Sequence, residues 1–329
     1  MSDDAVAPVI AVMLILAAVA TLFVIFNGAY VPSLKEAAEI EHIRNVESSF
    51  RHFSSDIGQA ITVRKDGQEL SEPVPLGGGD IFLNTLKSGG SLAVTQEPAP
   101  VYNISLYDGT GSVMATTNGT LVTITYTSVG NFWQDQGYRW QEGYLNVTKY
   151  GLRQAPLDYS TMTEVTNGFE PNGTLATFAG SFGSAEYSLN ETLFQNETPT
   201  LDNQYIFSPR SGTCSRILLR AVNLTTSQEH SFVSGNGFGN LELVSSTKAV
   251  PMAGVSFITV ASDGTLFGNV TFREWNESLS EVAGACGNSL RYTPVAGYTG
   301  DGLGLYTVDQ SRNPVEVTLE TGIVEIGVR

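Results

Sequence analysis

The pattern of apolar positions begins with an unbroken run from residue 5 to residue 30 that contains no charged side chain. At about 1.5 Å of rise per residue, a helix of that length crosses the roughly 30 Å hydrocarbon layer of a bilayer. The run therefore predicts a helix that meets apolar surroundings on all its faces.

A second, one-sided helical pattern follows, opened by Ser33 and Glu36 in the spacing of a capping box. Apolar residues recur at steps of three and four, at Ile40, Ile43, Val46, Phe50, Phe53, Ile57 and Ile61. Charged residues are expected on the other faces, at Lys35, Glu39, Glu41, Arg44, Glu47, Arg51 and Asp56. The pattern predicts one helix to about residue 61, slightly bent at Pro32 and loosened at Asn27-Gly28.

After Ile61 the period changes to the alternation of half-buried strands, with Gly-rich and Asp-Gly turns between them. Predicted strands cover 63–65, 92–95, 102–106, 121–126, 138–147, 217–219, 241–244, 255–260, 265–272 and 315–328. A short helix near 275–282 is the exception. The predicted fold class is α+β: a long hydrophobic and amphipathic N-terminal helix (6–61), then an all-β, sandwich-like head (62–329) that divides into two lobes near 159–172.

Charge narrows the range of partners. The chain of 329 residues has a net charge of −16 with only 17 Lys and Arg, so we expect no nucleic-acid partner. Asn-x-Ser/Thr sequons, used only on the translocated side of a membrane, predict an extracellular head. They lie at Asn103, Asn118, Asn146, Asn172, Asn190, Asn196, Asn223, Asn269 and Asn276.

The chain has two cysteines, Cys214 and Cys286. In an exported protein such a pair is most simply a disulfide, and two free buried thiols are the alternative. A zinc site is not expected, because two ligands are too few and no histidine is near either cysteine in the sequence.

No constellation of catalytic residues is visible in the sequence, so we expect no enzyme and no cofactor. The chain lacks a Gly-x-Ser-x-Gly elbow and a His-Glu-x-x-His motif. Its histidines, His42, His52 and His230, fit solvated or interface positions better than catalytic ones. The Asp-Gly turns offer oxygen ligands but no ordered calcium loop, so we predict no metal site.

The apolar run has four competing interpretations. A cleaved secretory signal fits poorly, because the run is too long and no basic residue precedes it. A buried helix of a soluble domain would show a polar side, which this run lacks. A plain membrane anchor fits length and hydrophobicity. A pilin-type helix fits these and also the amphipathic extension.

Residues 3–14, Asp-Asp-Ala-Val-Ala-Pro-Val-Ile-Ala-Val-Met-Leu, resemble the start of archaeal type IV pilins. Residues 31–76 and 131–145 resemble, more loosely, large pilin-like proteins of methanogens and halophiles. The resemblance implies a leader of residues 1–5, cut between Ala5 and Val6 by a prepilin peptidase. It also implies assembly by pilus machinery.

The leading hypothesis is a homo-oligomeric structural subunit of an extracellular filament on the cell surface, membrane-inserted before assembly. Its helical core would be built from Pro8, Val9, Ile10, Leu14, Leu16, Leu22, Phe23, Ile25 and Phe26. The alternative is a monomeric membrane-anchored ectodomain, or a minor pilin, that binds a surface or carbohydrate. Small residues such as Ala11 and Ala18 favour the filament, because they allow helices to approach closely.

Overall fold

The computed structural model describes residues 6–78, 88–130, 135–159, 161–171, 173–189, 214–292, 303–311 and 314–329. It begins with one continuous helical rod. α1 (Val6–Ile25) passes through a π-helical turn (Phe26–Tyr30) into α2 (Val31–Val63). Arg64 in the left-handed conformation then ends the helix, with its N–H bonded to the carbonyl of Ala60.

The described part of the head contains three β-sheets. In spatial order, sheet 1 consists of β1 (Gln68–Pro75), β12 (Phe238–Met252), β16 (Glu316–Val328), β10 (Cys214–Thr226) and β9 (Gly183–Leu189). Sheet 2 consists of β11 (Phe232–Gly235), β2 (Gly89–Gln96), β5 (Val122–Val129), β6 (Gln136–Gln141), β7 (Tyr144–Lys149) and β8 (Leu152–Pro156). Sheet 3 consists of β14 (Leu290–Tyr292), β15 (Leu303–Val308), β13 (Phe257–Ser262), β3 (Tyr102–Tyr107) and β4 (Val113–Gly119).

Neighbouring strands are antiparallel except β10 and β16, which pair in parallel. Each sheet mixes strands from before and after residues 159–172, so the predicted division into two lobes is wrong. The described part of that segment contains the short helix α3 (Met162–Gly168), and a second short helix, α4 (Thr174–Gly180), follows it. Long-range strand pairing is what makes the head one unit.

Two helices fill the spaces between the sheets. α2 contacts β1 of sheet 1 and β6 of sheet 2, while α5 (Leu266–Cys286) contacts β9 of sheet 1 and β13 of sheet 3. The buried side chains of all these elements form one hydrophobic cluster. The Tyr102 hydroxyl of sheet 3 lies 2.7 Å from the carbonyl oxygen of Val222 in sheet 1, a polar link inside this cluster.

The head is not all-β as predicted, because it contains the long helix α5. Residues 265–272, predicted as a strand, form the N-cap and first turns of this helix. Thr265 caps it, accepting a hydrogen bond from the N–H of Gly268 at 3.0 Å. The predicted short helix at 275–282 is its central part. Residues 63–65 are likewise no strand but the helix end and the turn that precedes β1.

The apolar stripe of α2 is confirmed. Val46, Phe50, Phe53, Ile57 and Ile61 are fully buried, whereas Ile40, at the end nearer α1, stays partly exposed. Two charged residues predicted to face solvent are in fact buried, Lys35 and Glu39. They continue the same helix face at four-residue spacing. Their burial therefore follows from the side of the helix on which they lie, although they are charged.

We expect that α2 cannot be removed from the head. A fragment starting at residue 67 would lose five fully buried large side chains and expose the surfaces of sheets 1 and 2 that contact them. Single truncations of this kind each cost about 2–5 kcal/mol, so the loss of five together matches or exceeds the roughly 5–15 kcal/mol stability of a whole domain.

The measurement is near-ultraviolet circular dichroism of two fragments, 31–329 and 67–329. The longer one should show a cooperative unfolding transition and the shorter one should not. A folded 67–329 fragment would show that α2 is merely laid on a finished head.

Candidate assembly helix

The apolar half of the rod is the feature that sets this molecule apart from an ordinary globular domain. Across 9–25 every described side chain is exposed, and the large ones are 52–68% accessible. By length and composition, Val9–Val63 contains a segment able to cross a membrane, and none of that segment is buried within the protein. Such a surface is stable only in lipid or against other protein.

Polar side chains in this region are bonded to the helix itself. The Thr21 hydroxyl donates to the carbonyl oxygen of Ala17 at 2.8 Å, and the Asn27 amide donates to that of Phe23 at 2.9 Å. Ser33 does the same to Tyr30 at 3.0 Å. Each of these side chains is thus hydrogen-bonded within one turn of its own helix, which lowers the cost of placing it against an apolar neighbour.

A π-helical turn at Phe26–Tyr30 joins the two halves of the rod. Pro32 has no N–H to donate and its ring would collide with a carbonyl one turn earlier. A wider turn just before the proline relieves that conflict without ending the helix. The predicted loosening at Asn27-Gly28 therefore takes the form of a π-turn, and the rod continues through it.

The structure places the predicted assembly residues on the exposed part of the helix. These are Val9, Ile10, Leu14, Leu16, Leu22, Phe23, Ile25 and, least exposed at 37%, Phe26. The backbone of Pro8 is helical, and Val6 is the first helical residue. Ala5 lies outside the described residues. Steps of about 100° per residue distribute this set over all faces of the helix.

Hydrogen bonds fix α2 against sheet 2 at successive levels. The His42 Nε2 lies 2.9 Å from the hydroxyl of Tyr126, which itself donates to the carbonyl oxygen of Leu76. These contacts link α2 to β5 and to the residue just after β1. Further along, the Trp140 Nε1 donates to Ser54 Oγ at 2.9 Å. These contacts hold the rod at one angle to the head.

A groove of about 240 Å³ runs between α2 and β6. It is lined by Glu39, Ile40, Ile43, Arg44, Glu47, Gln136 and Tyr138. The Tyr138 hydroxyl lies 3.3 Å from the carbonyl oxygen of Ile43, so the groove is the open edge of the helix-to-sheet contact. Its charges are of both signs, and no nucleophile with an adjacent base is among them.

The sequons occupy different environments. Asn118 is exposed on β4 and lies opposite Asn103 on β3, whose amide donates to it. Asn223, Asn269 and Asn276 are half-buried. Asn172, Asn190 and Asn196 lie outside the described residues. Glycosylation at these positions stays a prediction.

Asn146 is a correction to the predicted set of glycosylation sites. Its side chain is only 1% exposed, inside β7, whose residues 144–147 are all buried. The fold leaves no space for a glycan there.

The two cysteines form a disulfide that joins the start of β10 to the end of α5. Their Cα atoms are 5.0 Å apart across a sequence separation of 72 residues. Closing a loop of that length is worth roughly 4 kcal/mol in the chain-entropy description. Within the described residues, no group of three His, Cys, Asp or Glu side chains is arranged to hold a metal ion.

Comparisons with protein-family models, with curated proteins and with solved structures find no match to this chain. The architecture itself, a long apolar N-terminal helix followed by a β-rich head, fits that of a pilin-like protein.

We expect the contact between α2 and sheet 2 to weaken in mild acid. Burial lowers the pKa of His42, against the opposing effect of the nearby Glu39 carboxylate. The unfolded chain, with a histidine pKa of about 6.5, therefore takes up a proton before the folded one does. The free energy of unfolding should fall as the pH drops below that value.

The measurement is chemical unfolding of the full chain in detergent between pH 8 and pH 5. A His42→Gln variant removes the titrating group and should lose less stability over that range than the parent. His52→Gln, an exposed position on the same helix, is the matched control and should behave like the parent. Equal pH dependence of the parent and His42→Gln would contradict the assignment.

Proposed function

We propose that the protein is a structural subunit of an archaeal type IV pilus-like extracellular filament, assembled through α1. The observation that carries the proposal is the division of the rod at residue 30. One half is apolar on all faces and exposed from residue 9 to residue 30, and the other half is part of the head's core. Such a subunit can pack its first half against copies of itself while presenting the head outward.

The energetics of such a filament have two parts. Exposing an apolar helix to water costs about 25 cal/mol per Å² of surface. This free energy opposes dissociation of a subunit from an assembled core. Leaving the membrane is a different exchange, because lipid tails are as apolar as the helix. There the gain comes from close packing between helices, for which small side chains such as Ala11 and Ala18 leave room.

A membrane-anchored ectodomain is the second candidate. It is supported by the length of the exposed half: residues 9–30 span about 33 Å as a helix, close to the roughly 30 Å of hydrocarbon in a bilayer. In this case the head would act alone, by binding a surface or a carbohydrate. The proposed filament subunit passes through the same membrane-inserted state, so the two differ in what happens afterwards.

The first experiment is mass spectrometry of the N-terminal peptide in material sheared from cells. A peptide that begins at Val6, recovered with fibres, supports the filament and the processing between Ala5 and Val6. An intact N-terminus found only in the membrane fraction supports the anchored ectodomain instead.

Close helix packing can be tested separately from membrane insertion. The double substitution Ala11→Leu/Ala18→Leu keeps the helix apolar but adds bulk on one face, because seven residues make nearly two turns. Overpacking costs about 1–3 kcal/mol, so fibre yield should fall by about tenfold or more. Electron microscopy and quantitation of the sheared fraction measure it.

Leu14→Met/Leu22→Met, which conserves volume and apolar character, is the control and should form fibres at the parental level. Both variants should remain membrane-inserted when extracted with carbonate. Normal fibres from the Ala11→Leu/Ala18→Leu variant would rule out a closely packed core on this face.

A further inference from the structure

Four well-exposed large apolar side chains of the described head lie toward one end of it, and others that are as exposed lie on β11, α3 and β4. Phe238, Tyr150 and Leu152 are 75%, 69% and 68% accessible, and Val129 is 58% accessible. They come from three turns that are far apart in the sequence. We call these four residues the stem-side rim, because the strand contacts place them at the end of the head from which α1 emerges.

The position of sheet 2 along α2 fixes that end. Trp140 bonds to Ser54, and two residues earlier on β6 Tyr138 reaches the carbonyl of Ile43. Following β6 toward its N-terminus therefore means moving along α2 toward α1. Gln136, the first residue of β6, lines the groove beside Glu39.

Three rim residues lie at or just beyond that level. The N–H of Tyr150 donates to the carbonyl oxygen of Asp135 at 2.9 Å, and Leu152 follows in the same β7–β8 turn. Val129 ends β5, next to Ser128, whose hydroxyl donates to the Asp135 carboxylate.

Phe238, the first residue of β12 in sheet 1, lies toward the same end. It pairs with Pro75 on β1. Two residues earlier on that strand, the carbonyl oxygen of Pro73 accepts a hydrogen bond from the Ser49 hydroxyl of α2. The preceding turn lies beside the start of β2, because Gly235 pairs with Gly90. The rim thus includes residues of both sheets that contact the rod.

The two tight turns of the β6–β7–β8 meander differ in the residue at their first position. Both have two residues with positive φ: Glu142 (52°) and Gly143 (86°) at the far end, Tyr150 (53°) and Gly151 (71°) at the stem end. The first position of such a turn favours Asn, Asp or Gly, and a bulky side chain there is strained. The far turn has a charged residue at this position, and the stem-end turn has an exposed tyrosine.

The rim is within reach of the membrane in which α1 would lie. Residues 31–34 are uncharged like the run before them, so about 30 Å of hydrocarbon can cover residues 15–34. Glu39 then lies about 6 Å beyond Lys35, the first charged residue outside that layer. The polar layer on each side of the hydrocarbon is roughly 5–7 Å thick. Tyrosine is enriched in that layer, where its ring is buried and its hydroxyl stays hydrated.

We propose that the stem-side rim inserts into the headgroup layer of a phospholipid bilayer when the subunit is membrane-inserted. The rim and α1 then fix the head at two separate places, so the head sits on the bilayer surface instead of swinging freely above it. This inference depends on α1 crossing a membrane and not on the formation of filaments.

The test uses the full chain in phosphatidylcholine vesicles, with an environment-sensitive fluorophore on a single added cysteine. Lys149→Cys places it beside the rim, and Glu142→Cys places it at the far end of the same hairpin. Cys214 and Cys286 are joined and do not react. Lipids spin-labelled at the headgroup should quench the probe at 149 several-fold more strongly than the probe at 142.

Adding Tyr150→Ser and Leu152→Ser to the Lys149→Cys variant should reduce its quenching to the level seen at 142. Circular dichroism checks that each variant remains folded, as expected for changes confined to exposed turn residues. Equal quenching at both sites, or none at either, would overturn the proposal. A probe at 149 that is shielded from aqueous iodide but not quenched by lipid would also overturn it, because a second copy of the chain would then cover the rim.

Discussion

The structure depends on one helix that must satisfy two different surroundings. Before residue 30 it exposes an apolar surface, and after residue 40 it supplies one wall of a protein core. Because α1 and α2, on either side of the π-helical turn, are both α-helices, the change in surroundings is made by side chains: uniform apolarity gives way to a stripe at positions 46, 50, 53, 57 and 61. Sheets 1 and 2 both close on that stripe, so the head has no complete core without its stem.

The sequence predicted the parts of the fold that have a strong period. The apolar run, the stripe of α2 and most of the strands were identifiable because burial on one face leaves a regular spacing. The N-terminal part of α5 was not, since residues 265–272 are rich in β-branched and aromatic side chains that favour strands locally. Its buried positions, Phe267, Thr271, Trp275, Leu279 and Val282, nevertheless follow helical steps, and this longer-range signal agrees with the structure.

The candidate site could also be predicted only in part from the sequence. Exposure of the assembly helix followed directly from its composition, whereas the burial of Lys35, Glu39 and Asn146 did not. Charge and a glycosylation motif both suggest solvent, but these residues stand at positions whose neighbours are buried. The grouping of Val129, Tyr150, Leu152 and Phe238 was also invisible in the sequence, because strand pairing brings them to one end of the head. The one hint in the sequence is Tyr150-Gly151. The turn there requires positive φ at both residues, and tyrosine is unusual at the first of them.

The way α2 is built into the head has a mechanical consequence for the proposed filament. A fibre under tension pulls each head along the axis of its own stem, which loads the contact between α2 and the sheets in shear. Residues 42–61 share that load over about 28 Å of helix, so many contacts must fail together before the head detaches. A head attached through a loop could instead be peeled off one contact at a time.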